Sequence, residues 1–344
     1  MSLVKNWRLW LGLVISVLCL WLALRSVPLA ELPRLLAGMN VLWVLPIIFL
    51  QLLAVITRAK RWVILLDKED RLAGSFWAQG VGYLFTNVLP LRMGEPARVV
   101  VMSEHCRLPV VQVAASALVE RLLDVATIIL VLVLLLPWMQ IPALVEEAGV
   151  TFGAIVLLGC VSLLLAVKFS QHVEGLLRAV CGRFRMLPEA ALVARWRELV
   201  DGLAPLLHWT LAVRVVAWSG ITWAFSIAVN WCVLRAFQPD AAWLEAAFLV
   251  VALSLAVTVP SSPGFVGVYQ LVGQQALVLP FGAKYTPASA LAITFAAHVA
   301  YYLITTVIGV VGLWRSGESF ASLWQTLRAG SLAAPGPRKV KPSR

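Results

Sequence analysis

Asn87-Val-Leu-Pro-Leu-Arg-Met-Gly-Glu-Pro-Ala-Arg98 sets two arginines, a glutamate, two prolines and a glycine inside a chain that is otherwise mostly apolar. Apolar stretches flank it over 75–91 and 108–138, which puts its charges at candidate bilayer depth. An ion or a backbone break in hydrocarbon is costly unless it lines a protein-enclosed or water-filled cavity. The segment is therefore a helix break and the first candidate functional site.

The rest of the chain fixes the class. Of 344 residues, 61% are hydrophobic and 13% charged, against about 25% charged in soluble domains. An all-α polytopic membrane protein follows. The formal net charge of +11 fits cytoplasmic loops facing anionic lipid heads, so no nucleic-acid partner is expected. Many of the fifteen tryptophans, Trp7, Trp43, Trp138, Trp209 and Trp314 among them, lie near the ends of apolar runs, where indoles anchor. Five cysteines without C-x-x-C spacing read as apolar fillers. No metal or cofactor is expected.

Full spans are read at about 8–25, 41–58, 110–138, 151–168, 209–235 and 287–314, each long enough for a core about 30 Å thick. Two further apolar stretches, 75–107 and 243–280, are interrupted by Pro and Gly and read as half-helices meeting at a turn. Arg58, Lys60, Arg61, Lys68 and Arg71 mark one cytoplasmic loop, and Lys168, Arg178, Arg183, Arg185, Arg195 and Arg197 another. With both loops inside, 75–107 must return to the cytoplasmic face as a re-entrant hairpin or a tight pair of spans. The segment 243–280 starts and ends outside by the same parity. Entry from opposite faces is the signature of inverted repeats whose broken helices meet near the midplane. The expected organisation is one membrane domain over 1–315, carrying a cytoplasmic amphipathic segment at 169–207, and a basic amphipathic tail over 316–344. Multi-pass insertion in a bacterial-type inner membrane, with both termini cytoplasmic, is the expected localisation.

Three constellations carry the candidate chemistry. Asn87, Arg92, Glu95 and Arg98 surround the first break. Free backbone N–H groups and two guanidinium forks there suit a phosphate, and Glu95 can neutralise an arginine; an ordinary charged loop is the bland alternative. Glu120, Arg121 and Asp124 follow on the next helix, where Ser116, Glu120, Asp124 and Thr127 share one face. Glu120 sits roughly 15 Å in from position 110, and a structural ion-pair cluster is the alternative there. The second break brings Pro260, Pro263, Gly264, Gly267 and Gln270, a gate or a plain kink. His298 and Tyr301 stand in a polar stripe on the last span, and Ser219, Thr222, Ser226 and Asn230 in another.

In that order and spacing, N-x-x-L-P-x-R-x-G-E-x-x-R (87–98), E-R-x-x-D (120–124) and P-x-x-P-G-x-x-G (260–267) resemble the flippase-like family. It is also called the lysylphosphatidylglycerol synthase transmembrane-region family, and the resemblance covers roughly 5–315. It implies a membrane domain that moves a phosphate-containing lipid between leaflets, with anionic or zwitterionic phospholipid or polyprenyl-phosphate lipid as partner. The best understood relatives join such a domain to a soluble aminoacyltransferase, for which no stretch of this sequence is suited. Many relatives have a glutamate where this chain has Gln270, a departure that counts against an aminoacyl-lipid substrate. A membrane-embedded enzyme on a lipid or polyprenyl phosphate, using Glu120, Asp124 or His298, is the alternative from another class. A non-transporting partner of a lipid-modifying enzyme is a third, and homo-oligomerisation stays open.

Overall fold

The computed structural model describes residues 7–25, 27–28, 30–89, 93–139, 165–183, 188–203, 207–257, 262–317 and 319–328, with scattered positions between 151 and 162. Among them there is helix and no strand. The helices are α1 (Trp7–Leu24), α2 (Leu32–Ala37), α3 (Val44–Leu65), α4 (Leu72–Val88), α5 (Gly94–Cys106) and α6 (Val110–Leu135). After them come α7 (Ser170–Arg183), α8 (Glu189–Leu203), α9 (Trp209–Phe237), α10 (Trp243–Ala256), α11 (Val268–Phe281), α12 (Pro287–Ser316) and α13 (Phe320–Arg328). The basic tail beyond 328, Arg92 and Pro260 lie outside the described residues.

Three described stretches are long and apolar enough to cross a bilayer: Val41–Leu65, Trp209–Phe237 and Pro287–Ser316. They coincide with expected spans. Helix α6 has the length, at 26 residues, but carries Glu120, Arg121 and Asp124 within it. The sequence sets the ends of α12 clearly. The Thr286 side chain accepts the Ser289 N–H, Pro287 opens the first turn and Gly317 closes the helix at φ 67°.

Apolar side chains point outward and polar ones inward, as a lipid solvent demands. Leu45, Phe49, Val216, Leu303 and Val307 are exposed, whereas Arg61, Gln79, Glu120, Gln274 and Thr294 are buried. Two apolar clusters surround this polar interior. One joins Trp62, Val81, Phe85, Met102 and Val113 of α3 to α6, with Leu313 of α12 and Leu323 of α13. The other joins Val233, Leu249, Leu277 and Ile293 of α9 to α12. Long α3 packs along α9, and α4 along α12. That last contact is backbone-close: a Cβ on Gly309 would stand 2.5 Å from the Gly80 carbonyl oxygen.

Both broken stretches form helical hairpins. Helix α5 has 13 residues and α10 and α11 have 14 each, too few for the ~20 that span a core. The first hairpin, α4–α5, opens from the bundle end where Glu69 bonds Lys60 and Arg214. The second, α10–α11, opens from the other end, where Lys284 joins Asp240 and Glu245. The turns meet inside. A Cβ on Gly264 would lie 3.5 Å from the Asn87 carbonyl oxygen, and Tyr302 Oη donates to that oxygen at 3.2 Å.

One expectation is corrected by the fold. Arg58, Lys60 and Arg61 are helical, in the last two turns of α3, and not in a loop. Nothing between 47 and 65 breaks the helix, so it runs on past the expected end at 58. The amphipathic segment forms α7 and α8, with α8 docked on α6.

Candidate functional site

Helices α3, α5 and α6 converge on a buried lattice of charges. Arg61 and Glu120 are fully buried and Arg98 and Asp124 nearly so. Arg61 reaches Glu120 Oε1 at 3.0 Å and Asp124 Oδ1 at 2.7 Å. Arg98 reaches Glu120 Oε2 at 3.0 Å and Glu95 Oε2 at 2.8 Å, with its guanidinium 4.7 Å from the Trp62 ring centroid. Arg121 holds the other Glu95 oxygen at 2.7 Å and Asp124 Oδ2 at 3.3 Å. Neutral groups finish the lattice: Trp223 Nε1 donates to Asp124 Oδ1 at 3.2 Å, and Ser219 Oγ accepts from Arg61 Nη1 at 3.1 Å. A lone charge at a helix centre costs about 2.5–3.5 kcal/mol by insertion scales, and mutual pairing offsets this only when geometry and hydrogen bonds are good.

Every carboxylate oxygen in this lattice faces a guanidinium. Not every guanidinium is equally held. Arg58 meets Asp124 Oδ2 at 3.6 Å, beyond hydrogen-bond range, and lies 5.8 Å from the Trp223 ring centroid.

Beside the lattice is a cavity of about 300 Å³. Gln51 and Arg58 of α3, Tyr83 of α4, Arg121 and Asp124 of α6 and Trp223, Ser226 and Asn230 of α9 line it. Phe265, Tyr269, His298 and Tyr301 close the opposite wall. The side-chain oxygen of Asn230 is buried there without a hydrogen bond among the described residues. A second, mostly apolar groove of about 440 Å³ runs between α5, α6 and α13, and Glu95 and Arg121 stand at its polar side. Arg121 therefore borders both spaces.

The second break is built around His298. Gly264 carries φ 68°, Phe265 φ 61° and Gly267 φ 88°, three left-handed residues in a four-residue stretch. The Gly264 carbonyl lies 2.7 Å from His298 Nε2, the Gly267 N–H donates to Gln270 Oε1 at 2.7 Å, and Gln270 Nε2 lies 2.8 Å from His298 Nδ1. A carbonyl can only accept, so Nε2 carries the proton. The Gln270 oxygen is taken by Gly267, so its amide donates and Nδ1 accepts. These partners assign His298 as neutral. The ring also stacks on Tyr269 at 4.4 Å.

Of the residues singled out by sequence, Glu95, Arg98, Glu120, Arg121 and Asp124 come together in the lattice. His298 and Tyr301 stand on the facing wall, Gly264 and Gln270 hold the His298 ring from behind, and Pro263 and Gly267 belong to the same turn. Asn87 is buried and ties the first turn to α12, donating to Thr305 and Thr306 at 3.1 and 3.0 Å. Arg98 is enclosed by two carboxylates and a ring and does not border the cavity. Sequence reasoning missed Arg58 and Arg61. Ala54, Arg58, Arg61 and Leu65 share one face of α3, a spacing that could have marked them. It also passed over Tyr83 and Trp223. Among the described residues no group of three or more His, Cys, Asp or Glu could hold a metal.

A family model described as "Lysylphosphatidylglycerol synthase TM region" matches residues 9–309. No curated protein and no solved structure matches the chain.

Proposed function

Because the chain belongs to the lysylphosphatidylglycerol synthase transmembrane-region family, we propose that it moves a phosphate-containing lipid between the leaflets of its membrane. The observation that carries this reading is an internal cavity that sets Arg58 and Arg121 in a partly apolar wall, beside two hairpins that approach from opposite ends of the bundle. Its wall combines Arg58 and Arg121 with three tyrosines, Trp223 and Asn230, inside a shell whose outer face is apolar. A charged head crossing hydrocarbon needs such a path, while its chains stay in lipid. Arg58 and Arg121 take the phosphate, and the Gly264–Gly267 turn is the facing gate. We read the Glu69 end of the bundle as cytoplasmic.

Transport is favoured over membrane-embedded catalysis by the state of the candidate acids. Glu120 and Asp124 are each engaged by two or more guanidiniums, which leaves neither free to take or give a proton in acid–base work. The test is purified protein in vesicles, with a fluorescent phospholipid in one leaflet and a membrane-impermeant quencher outside. Head movement should exceed that of empty vesicles, and Arg121→Gln should reduce it about tenfold, the size of one charge-assisted hydrogen bond. Movement no faster than in empty vesicles, or product formation from lipid in detergent, would overturn the reading.

A further inference from the structure

Resting on that lipid-head reading, we infer that the cavity selects a net-anionic phosphate ester over one whose head carries an amine. The charged groups of its wall are two guanidiniums, Arg58 and Arg121, and one carboxylate, Asp124. The extended lattice keeps the same sign: Arg58, Arg61, Arg98 and Arg121 face Glu95, Glu120 and Asp124. His298 adds no charge, because its two ring nitrogens are fixed by the Gly264 carbonyl and the Gln270 amide.

An ammonium group entering this space meets no available carboxylate. Asp124 Oδ1 receives Arg61 and Trp223, and Oδ2 faces Arg121 and Arg58. Both oxygens of Glu120 are held by Arg61 and Arg98, and both oxygens of Glu95 by Arg98 and Arg121. A phosphate meets the opposite situation. Arg58 lines the space with its carboxylate contact at 3.6 Å, outside the hydrogen-bond range within which Arg61, Arg98 and Arg121 meet theirs. The buried Asn230 oxygen, without a hydrogen bond among the described residues, is a neutral acceptor in the same wall. A donor on the lipid head satisfies it, hydroxyl or N–H alike, so it is the charge of the wall that discriminates against an amine.

The experiment measures lipid binding to the detergent-purified full chain by native mass spectrometry. Phosphatidylglycerol, phosphatidylethanolamine and lysylphosphatidylglycerol are offered in competition. Phosphatidylglycerol should win by about tenfold or more, with the lysyl lipid weakest. Arg58→Gln should erase most of the preference and Arg58→Lys should keep part of it, because lysine retains the charge without the fork. Asn230→Asp, which adds a carboxylate to the wall, should narrow the gap between phosphatidylglycerol and phosphatidylethanolamine. Equal binding of the three lipids, preference for either amine lipid, or a phosphatidylglycerol preference that survives Arg58→Gln overturns the proposal. Binding in detergent requires no leaflets. Selective binding without translocation in vesicles defeats the transport reading alone, and translocation without head selectivity defeats this inference alone.

Discussion

Arg61 is the single residue on which the buried lattice depends most. It has no exposed side-chain surface and contacts both Glu120 and Asp124. Removing one partner of a buried pair leaves an uncompensated charge, at a cost of about 3–5 kcal/mol. Arg61→Met should therefore lower the thermal unfolding midpoint in detergent by many degrees, and adding Glu120→Gln to it should restore part of the loss. An unchanged midpoint for Arg61→Met would mean that the lattice does not stabilise the bundle. Sequence reading placed this arginine in a loop for a physical reason. Positive residues do accumulate beside helix ends, and Arg58, Lys60 and Arg61 stand close to Lys68 and Arg71. The loop bias and the buried face produce the same local composition, and only helical phase tells them apart: Lys60 is directed to Glu69 at 2.6 Å while Arg61 turns inward. Glu69 gives a pH prediction outside the membrane. Its hydrogen bonds to Lys60 and then Arg214 hold its carboxyl below the ordinary value. A folded value below the unfolded one contributes stability above the usual carboxylate range, near ~4.3, and loses it as pH falls through the folded value. Glu69 is more than a third exposed, so the contribution is less than about 1 kcal/mol. The difference in unfolding midpoint between the parent and Glu69→Gln should be small at neutral pH, vanish in acid and shrink in high salt. A difference that grows in acid would reverse the assignment.

At the scale of elements, the two hairpins were the most legible part of the chain. Proline removes a backbone donor and glycine opens left-handed geometry, so the interruptions after Asn87 and before Gln270 announce half-helices. What composition does not encode is that both turns dock on the same helix, α12, since the Tyr302–Asn87 and His298–Gly264 bonds join residues more than thirty positions apart. The second turn also supports α1. A Cβ on Gly267 would stand 2.1 Å from the Ser16 carbonyl oxygen, and the residue has φ 88°. Gly267→Ala thus meets both a disallowed backbone and a neighbouring main chain. It should destabilise by at least the ~1–3 kcal/mol of a strained non-glycine residue. Gly220→Ala is the matched comparison, because Gly220 lies within helix α9 and a Cβ there meets nothing within 4 Å. That change should be neutral or stabilising by up to about 1 kcal/mol. The pair of unfolding midpoints tests the turn, and similar values for both would show that it tolerates side chains.

For the whole molecule, the arrangement of ends decides how a head could cross. Each hairpin opens from a different end of the bundle, and the cavity beside them is walled by the long helices α3, α6, α9 and α12 together with α10 and the second turn. That geometry suits alternate opening only if the two ends face different compartments, and charge supplies the direction. Lys60, Lys68, Arg71 and Arg214 gather at the Glu69 end, where they match the anionic lipid of a cytoplasmic leaflet. The other end holds Lys284 with Asp240 and Glu245 as its counter-ions. Asp70 and Asp240 mark the two ends and have side chains 66% and 71% exposed, so a thiol at either place is open to reagent. In a background with the five native cysteines replaced, Asp70→Cys in sealed cells should resist a membrane-impermeant maleimide and react once the membrane is opened. Asp240→Cys should react from outside without opening. Reaction of both from outside would remove the two-compartment geometry on which alternate opening depends, and reaction of Asp70→Cys alone would invert the molecule and with it the leaflet from which Arg58 first receives a head.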